Sequence, residues 1–399
     1  MKIQQQRRRD NQQWILDWVV KQTGRVINFE YDERDVPAYV KSYAQIPKAV
    51  GKVGKHRQEI AAAAEKAGHT RTALLGYFLA VRAYHTAQHT FFEDDNRLKI
   101  HYHSKLLECY VIRCADYPIE RVEVPWEGVN IQCNLHLLPD RRRAPCVVFV
   151  PGMDMVKEQM PEPANNVFLQ RGMHCITMDG PGQGMSNIRK IRVRDDNYER
   201  AASAVVDYLQ TRPEVDPERI AVMGVSMGSF WGTRIAAYDQ RLKAAAVAMS
   251  CFGDKTAIFE QSSPRFKQIF MYMAGMDDEE EFDRMAARMT TVGYASKVTC
   301  PYLIVTGEYD PLSPLEDVEE AFGEAAGPKE IWVLENDFHV NREPDNLGNV
   351  SNFNFMADWL AEALAGKFGP GHQRYVYVPQ HTGIGPYVQA VAEYATVTP

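Results

Sequence analysis

From about residue 10 to residue 115, apolar residues recur three and four positions apart, as in TALLGYFLAVRAYHTAQHTFF and LKIHYHSKLLECYVIRCA. That is the period of amphipathic helices. Near Tyr117 and Pro118 the period changes to two: RVEVPWEGVNIQCNLHLLP alternates, and Glu127-Gly128 supplies a turn between its halves, which predicts a β-hairpin. Beyond it, short apolar runs rich in β-formers alternate with helical stretches: CVVFV at 146–150, HCITM at 174–178, RIAVMGV at 219–225, AAAVAMS at 244–250, PYLIV at 301–305 and EIWVLE at 330–335. Strands that are apolar on both faces and separated by helices belong to a parallel sheet covered on both sides. The pattern predicts a doubly wound α/β core behind a helical N-terminal region.

The alternation breaks once, between Ser250 and about Lys297, where helical sequence rich in Phe and Met replaces a short crossover. Such an insertion reads as a cap over the end of the sheet where ligands bind in these folds. After a last helix at about 352–366, the Gly and Pro content of FGPGHQRYVYVPQHTGIGPYVQA predicts a tail. The expected organisation is a helical region over 1–118, the core in two parts over 119–250 and 298–366, a cap over 251–297 and a C-terminal tail over 367–399.

Composition narrows the function classes. A net charge of -7 gives no global positive field to gather phosphates, so nucleic acid is not an expected partner. The triplets Arg7–Arg9 and Arg141–Arg143 read as solvated surface. Seven cysteines without CxxC spacing, several inside apolar runs, read as buried free thiols of a reducing, cytoplasmic compartment. The apolar run Trp14–Val20 is short and broken by Asp17, so neither a signal segment nor a membrane span is expected.

The strongest chemical signal is Gly224-Val225-Ser226-Met227-Gly228, between the strand-like RIAVMGV and a helical stretch. A serine on a tight strand-to-helix turn needs very small residues two before and two after it, and both are glycine. Its hydroxyl needs a base. Among eleven histidines, His339 lies just past the last predicted core strand, where this fold delivers one, whereas His85, His89, His101 and His103 sit in the helical region as polar or pocket-wall residues. The acid should follow a strand between the two. Asp310, in GEYDPLSP straight after PYLIVT, fits; Asp254 is the rival, and Asp337 is too close to His339 in sequence to face its ring. An oxyanion hole needs two fixed amide donors: Met227, after the serine, and Met153, after the flexible Gly152 in the loop following CVVFV. The loop DGPGQGMS at 179–186 lacks dinucleotide spacing and reads as a tight structural turn. His101 and His103 come with no third ligand motif, so no metal is expected, and the triad chemistry needs no cofactor.

On PGMDMVKE, DGPGQGMS, GVSMGS, GEYDPLSP and the terminal DFH, the chain resembles α/β-hydrolases with a helical N-terminal segment. That group includes 2,6-dihydroxypseudooxynicotine hydrolase, esterases of the fermentation/respiration-switch type and fungal hydrolases that shorten polyketides. The resemblance implies the α/β-hydrolase fold and cleavage of a carbon–carbon bond beside a ketone, or of an ester, in a small aromatic or polyketide-like molecule. It also implies a cap glutamate that assists the serine or the substrate, for which Glu260 is the nearest match. A competing class is a ligand-binding protein that keeps the fold without the chemistry; a complete triad argues against it. The helical region and long tail suit a homodimer.

Overall fold

The computed structural model describes residues 40–380, apart from 41, 94, 111–113, 263 and 340–342. The run Trp14–Val20, the triplet Arg7–Arg9 and positions 381–399 of the expected tail lie outside the described residues.

Three helices precede the sheet: α1 (Ile46–Lys66), α2 (Thr70–His89) and α3 (Arg97–Cys109). Pro47 sits in the first turn of α1, where its missing N–H would have had no partner. Asn96 caps α3 by accepting from the amides of Leu98 and Lys99. Close packing depends on Gly54 and Gly51 of α1, where a Cβ would fall 2.9 Å from the Tyr84 ring and 2.5 Å from the Tyr102 ring. Ala61, Leu74, Val81 and Leu106 form a cluster that continues onto Tyr117, Ile119 and Val156, so this helical layer is welded to the core.

The hairpin forms as the alternation demands: β1 (Ile119–Trp126) pairs antiparallel with β2 (Val129–His136). Glu127 and Gly128 both take positive φ, 44° and 80°, as a two-residue turn between right-twisted strands requires. β2 pairs antiparallel with β4 (His174–Asp179). The remaining neighbours are parallel: β4, β3 (Ala144–Val150), β5 (Val215–Val225), β6 (Ala244–Ala248), β7 (Tyr302–Gly307), β8 (Lys329–Leu334) and β9 (Gln373–Val378).

Alternate residues of β3 divide the core. Cys146, Val148 and Val150 join the layer under α5 (Tyr198–Gln210), α6 (Met227–Tyr238) and α10 (Leu315–Glu324). Val147 and Phe149 face the layer closed by α11 (Asn352–Leu364). Between β6 and β7 stand α7 (Lys255–Gln261), α8 (Pro264–Ala274) and α9 (Glu279–Ala286). The rings of Phe259, Phe266, Phe270 and Phe282 meet at 5.0–5.9 Å and merge with the core below, so the insertion is packed rather than draped.

One departure concerns the expected tail, which opens with a ninth strand. In QRYVYV the alternation places Val376 and Val378 inside and leaves Tyr375 and Tyr377 half-buried against the edge. The neighbouring Gly and Pro residues form the turn into this strand rather than the start of an unpaired segment. The Arg141–Arg143 triplet is surface, with Arg141 paired to Glu120 and Glu214.

Candidate active site

Ser226 ends β5 and starts α6 with φ 56° and ψ −129°, a conformation that side chains rarely adopt. It is held there by its amide, which donates to the Ala248 carbonyl at 3.0 Å, and by the close approach of its neighbours. A Cβ on Gly224 would lie 2.0 Å from the Gly228 carbonyl oxygen, and one on Gly228 would lie 2.2 Å from that of Val150. Both obstacles are backbone, so only glycine fits either position. The turn leaves the hydroxyl at the N-terminal end of α6, where helix amides and dipole favour negative charge.

His339 and Asp310 arrive on the loops after β8 and β7. These loops are locked together: the Tyr309 amide donates to the Asp337 carbonyl at 2.9 Å, and a Cβ on Gly307 would fall 2.5 Å from the Phe338 oxygen. His339 Nε2 lies 2.8 Å from Ser226 Oγ, and its Nδ1 lies 2.8 Å from Asp310 Oδ2. Asp310 Oδ1 also accepts from the Leu312 amide at 2.9 Å, which fixes the carboxylate plane. Both His339 and Asp310 are buried. Asp254 instead caps α7, accepting from the Ala257 amide, and Asp337 meets the neighbouring loop through its backbone.

Gly152 brings the loop after β3 against Ser226: a Cβ there would lie 3.1 Å from Ser226 Cβ. Met153 and Met227 are both buried beside this approach. Behind the loop, Asp179 accepts from the Lys157 amide, the Lys157 ammonium at 2.8 Å and the Met185 amide. Burial alone would raise the Asp179 carboxyl, but the Lys157 ammonium and the hydrogen bonds hold it below the usual range. Burial likewise disfavours the charged lysine, yet Asp179 and Glu158 raise Lys157 above its ordinary value. This pair ties 151–158 to the DGPGQGMS loop, a link that sequence reading assigned only to local turn structure.

Beside Met153 lies a narrow cavity walled by His85, His89, Lys99, Gln183, Ile269 and Tyr272 among others. Its walls come from α2, α3, the 151–156 loop, the short helix α4 (Gly184–Ile188) with the turn before it, and α8, so the helical region and the cap both border it. Ser226 is not itself in the wall; Met153, next to Gly152, connects the two. The Lys99 ammonium donates to Gln88 Oε1 at 3.0 Å and stands 5.1 Å from the Tyr272 ring centre. His101 is exposed, and His103 is buried beneath the helices. No group of His, Cys, Asp and Glu suited to a metal occurs among the described residues.

The structure does not bring Glu260 to this cavity. Its side chain is exposed and ion-paired with Lys267, which also meets Asp283 at 2.9 Å and Glu279 at 3.3 Å. Lys267 is buried and gathers these carboxylates, so Glu260 belongs to a charge-balancing cluster of the cap.

A mostly parallel sheet with a strained serine between two obligatory glycines at the end of its central strand defines an α/β-hydrolase. Within that class the chain belongs to the prolyl oligopeptidase family, a family of hydrolases, which it matches over residues 164–367. The match contains Ser226, Asp310 and His339 but not Gly152. The chain is 31% identical over 255 residues to 2,6-dihydropseudooxynicotine hydrolase of Paenarthrobacter nicotinovorans, covering 63% of this chain and 66% of that protein. It is 30% identical over 247 residues to alpha/beta hydrolase xenA of Xenoacremonium sinensis, covering 58% and 56%. The chain thus spans less than two thirds of the length of these relatives. In fold it matches the crystal structure of 2,6-dihydroxy-pseudo-oxynicotine hydrolase with a TM-score of 0.71 over 85% of this chain and 94% of that one, at 24% identity. Among the described residues no helix is long and apolar enough to cross a membrane.

Proposed function

We propose that this chain is a serine hydrolase that cleaves a carbon–carbon bond beside a ketone in an aromatic or polyketide-like small molecule. The observation that carries the reading is the relay in which His339 bridges Ser226 and Asp310, at 2.8 Å on each side. His339 takes the Ser226 proton as the oxygen bonds to the carbonyl carbon, and the Met153 and Met227 amides receive the oxyanion. As the tetrahedral species collapses, His339 returns the proton to the leaving group, and water then releases the acyl group by the same steps. A carbon leaving group must depart as a stabilised carbanion, which calls for a β-dicarbonyl or an electron-rich phenolic ketone protonated at carbon.

Support for a small substrate comes from the cavity beside Met153 with its Tyr272 and Phe92 walls and from the names of the relatives, one a pseudooxynicotine hydrolase and another the 20-hydroxy-prefusarin hydrolase of Gibberella moniliformis. Seven free thiols, six of them buried, suit a reducing cytoplasmic setting. A carboxylesterase is the second reading, because the same relay serves an alkoxide leaving group equally well. The test is turnover of an acylphloroglucinol ketone, a matched phenyl ester and a peptide anilide by the wild-type chain and by Ser226→Ala. The expected result is ketone cleavage that falls by about 10⁴-fold or more in the variant. Ester turnover alone rejects the carbon–carbon reading, anilide turnover alone returns the chain to peptide chemistry, and activity retained in Ser226→Ala overturns the nucleophile.

A further inference from the structure

We infer that Gln183 is a positioning residue that aims and polarises the Met153 amide, an inference that rests on the oxyanion role proposed for that amide. Gln183 is 2% exposed and sits in the DGPGQGMS loop. Its Nε2 donates to the Gly152 carbonyl at 2.6 Å and lies 3.3 Å from that of Pro151. Carbonyl oxygens only accept, so the side-chain amide has a single workable orientation, with its NH₂ towards residues 151 and 152. Its Oε1 then accepts from the Tyr198 hydroxyl at 2.6 Å. Tyr198 is in turn stacked on Trp231 of α6, with ring centres 4.0 Å apart and planes 7° from parallel. A chain of contacts therefore runs from the helix that carries the nucleophile to the loop that supplies the other half of the oxyanion hole.

The consequence follows from peptide geometry. The Gly152 carbonyl and the Met153 N–H belong to one planar, trans unit, so they point in opposite directions. Gln183 and the Met155 amide, which donates at 3.1 Å, together fix the carbonyl on one side. The Met153 N–H is thereby turned to the other side, in the loop whose Gly152 abuts Ser226. A hydrogen bond to the carbonyl also draws electron density from the peptide and makes its N–H a stronger donor. A Cβ at Gly152 would crowd Ser226 Cβ at 3.1 Å and the Val225 carbonyl at 3.3 Å, so glycine eases the approach of the loop, and Gln183 anchors it from outside.

The test uses a fluorophosphonate on the full chain, following separately the binding step and the rate at which Ser226 Oγ bonds to phosphorus. In that step the P–F bond breaks, the serine proton passes to His339, fluoride leaves, and the phosphoryl oxygen occupies the oxyanion hole. Gln183→Met keeps the volume and removes the donor. The expected result is a bond-forming rate lower by about 10- to 50-fold, with the binding constant within about threefold of wild type, since removing an oxyanion donor outright costs about 10²–10³ and Met155 still holds the carbonyl. Tyr198→Phe keeps the stacking on Trp231 and removes the hydroxyl that holds Oε1, so the same step should slow by a smaller factor of about 3 to 10. It carries the test should Gln183→Met not fold. A purely structural role would lower the fraction of protein that can be labelled but leave the rate at each labelled site unchanged, and that outcome overturns the inference. An unlabelled wild-type chain overturns the serine-hydrolase reading itself, whereas a labelled wild type with both variants reacting at its rate overturns only the role of Gln183.

Discussion

Replacing Asp310 with Asn probes the relay more sharply than removing the serine, because the substitution leaves shape and volume almost unchanged. The carboxylate has two occupied sites: Oδ2 faces His339 Nδ1 at 2.8 Å and Oδ1 accepts from the Leu312 amide at 2.9 Å. An Asn side chain has only one oxygen. If that oxygen stays on Leu312, the NH₂ group faces Nδ1, the imidazole must accept there, and its proton moves to Nε2, which can no longer take one from Ser226. If the oxygen turns to the histidine, the NH₂ group meets the Leu312 N–H and a buried donor is left unsatisfied, at about 1–3 kcal/mol. The competent tautomer is therefore reduced about 5- to 150-fold. The imidazolium formed during attack also loses its neighbouring negative charge, and the difference between a charged and a neutral hydrogen bond adds about 1–2 kcal/mol, or a further 5- to 30-fold. Together the rate of attack by Ser226 falls about 25- to 4,500-fold. Stopped-flow labelling by a fluorophosphonate near neutral pH measures it, with thermal unfolding as the control for an intact fold. A folded Asp310→Asn chain that reacts within fivefold of wild type would refute the assignment.

Two further outcomes follow from the same structure. Glu260→Gln should leave kcat/KM within about threefold, because its carboxylate faces Lys267 on the exposed side of the cap and Lys267 retains Asp283 and Glu279; a loss beyond tenfold, measured on the best substrate found, would return Glu260 to the reaction. Stability should fall on mild acidification through His103, whose buried ring is pushed down to about 4 first by burial and then by the Lys157 charge. The folded value lies below the unfolded value of 6.5, so the unfolded chain binds the extra proton between them, and stability drops as pH falls from about 6.5 towards 4. The full contribution is on the order of 3 kcal/mol, so His103→Leu should flatten the acid limb of a urea-unfolding profile over that window; an unchanged limb would contradict the neutral, buried ring.

The elements legible in the sequence were those in which one local rule acts alone. Wholly apolar runs marked β3 to β8, and Gly224 and Gly228 marked the nucleophile turn because backbone oxygens about 2 Å from any added Cβ forbid every other residue. Asp310 and His339 could be located because each directly follows a strand. β9 was hidden because the Gly and Pro turn residues ahead of QRYVYV dominated the composition of its neighbourhood, whereas the alternation of Val376 and Val378 was the signal that mattered. Glu260 shows the converse: a residue matched by position alone acquires its role from Lys267, seven residues on, whose burial no local pattern announces. Gln183 stands inside a recognisable motif, but its partners lie 31 and 15 residues away, Gly152 on the loop after β3 and Tyr198 at the start of α5, beyond the reach of local pattern.

The Ser226 relay and the cavity beside Met153 are consequently built under different constraints. Ser226, Asp310 and His339 each stand within a few residues of the C-terminal end of a strand, and β5, β6, β7 and β8 are consecutive neighbours, so sheet hydrogen bonding fixes the spacing of the relay. The cavity walls come from separate segments, four of which include helices outside the sheet. His85 and Ile269 stand on α2 and α8, away from the strand ends that carry the relay, and His85 Nε2 reaches the 151–156 loop at the Asp154 carbonyl, 2.6 Å away. Met153 is where the two parts meet: its amide belongs to the proposed oxyanion hole and its side chain to the cavity wall. Under the proposed function, Met153 is therefore the one residue that both borders the cavity and offers an oxyanion donor, on the peptide that Gln183 holds.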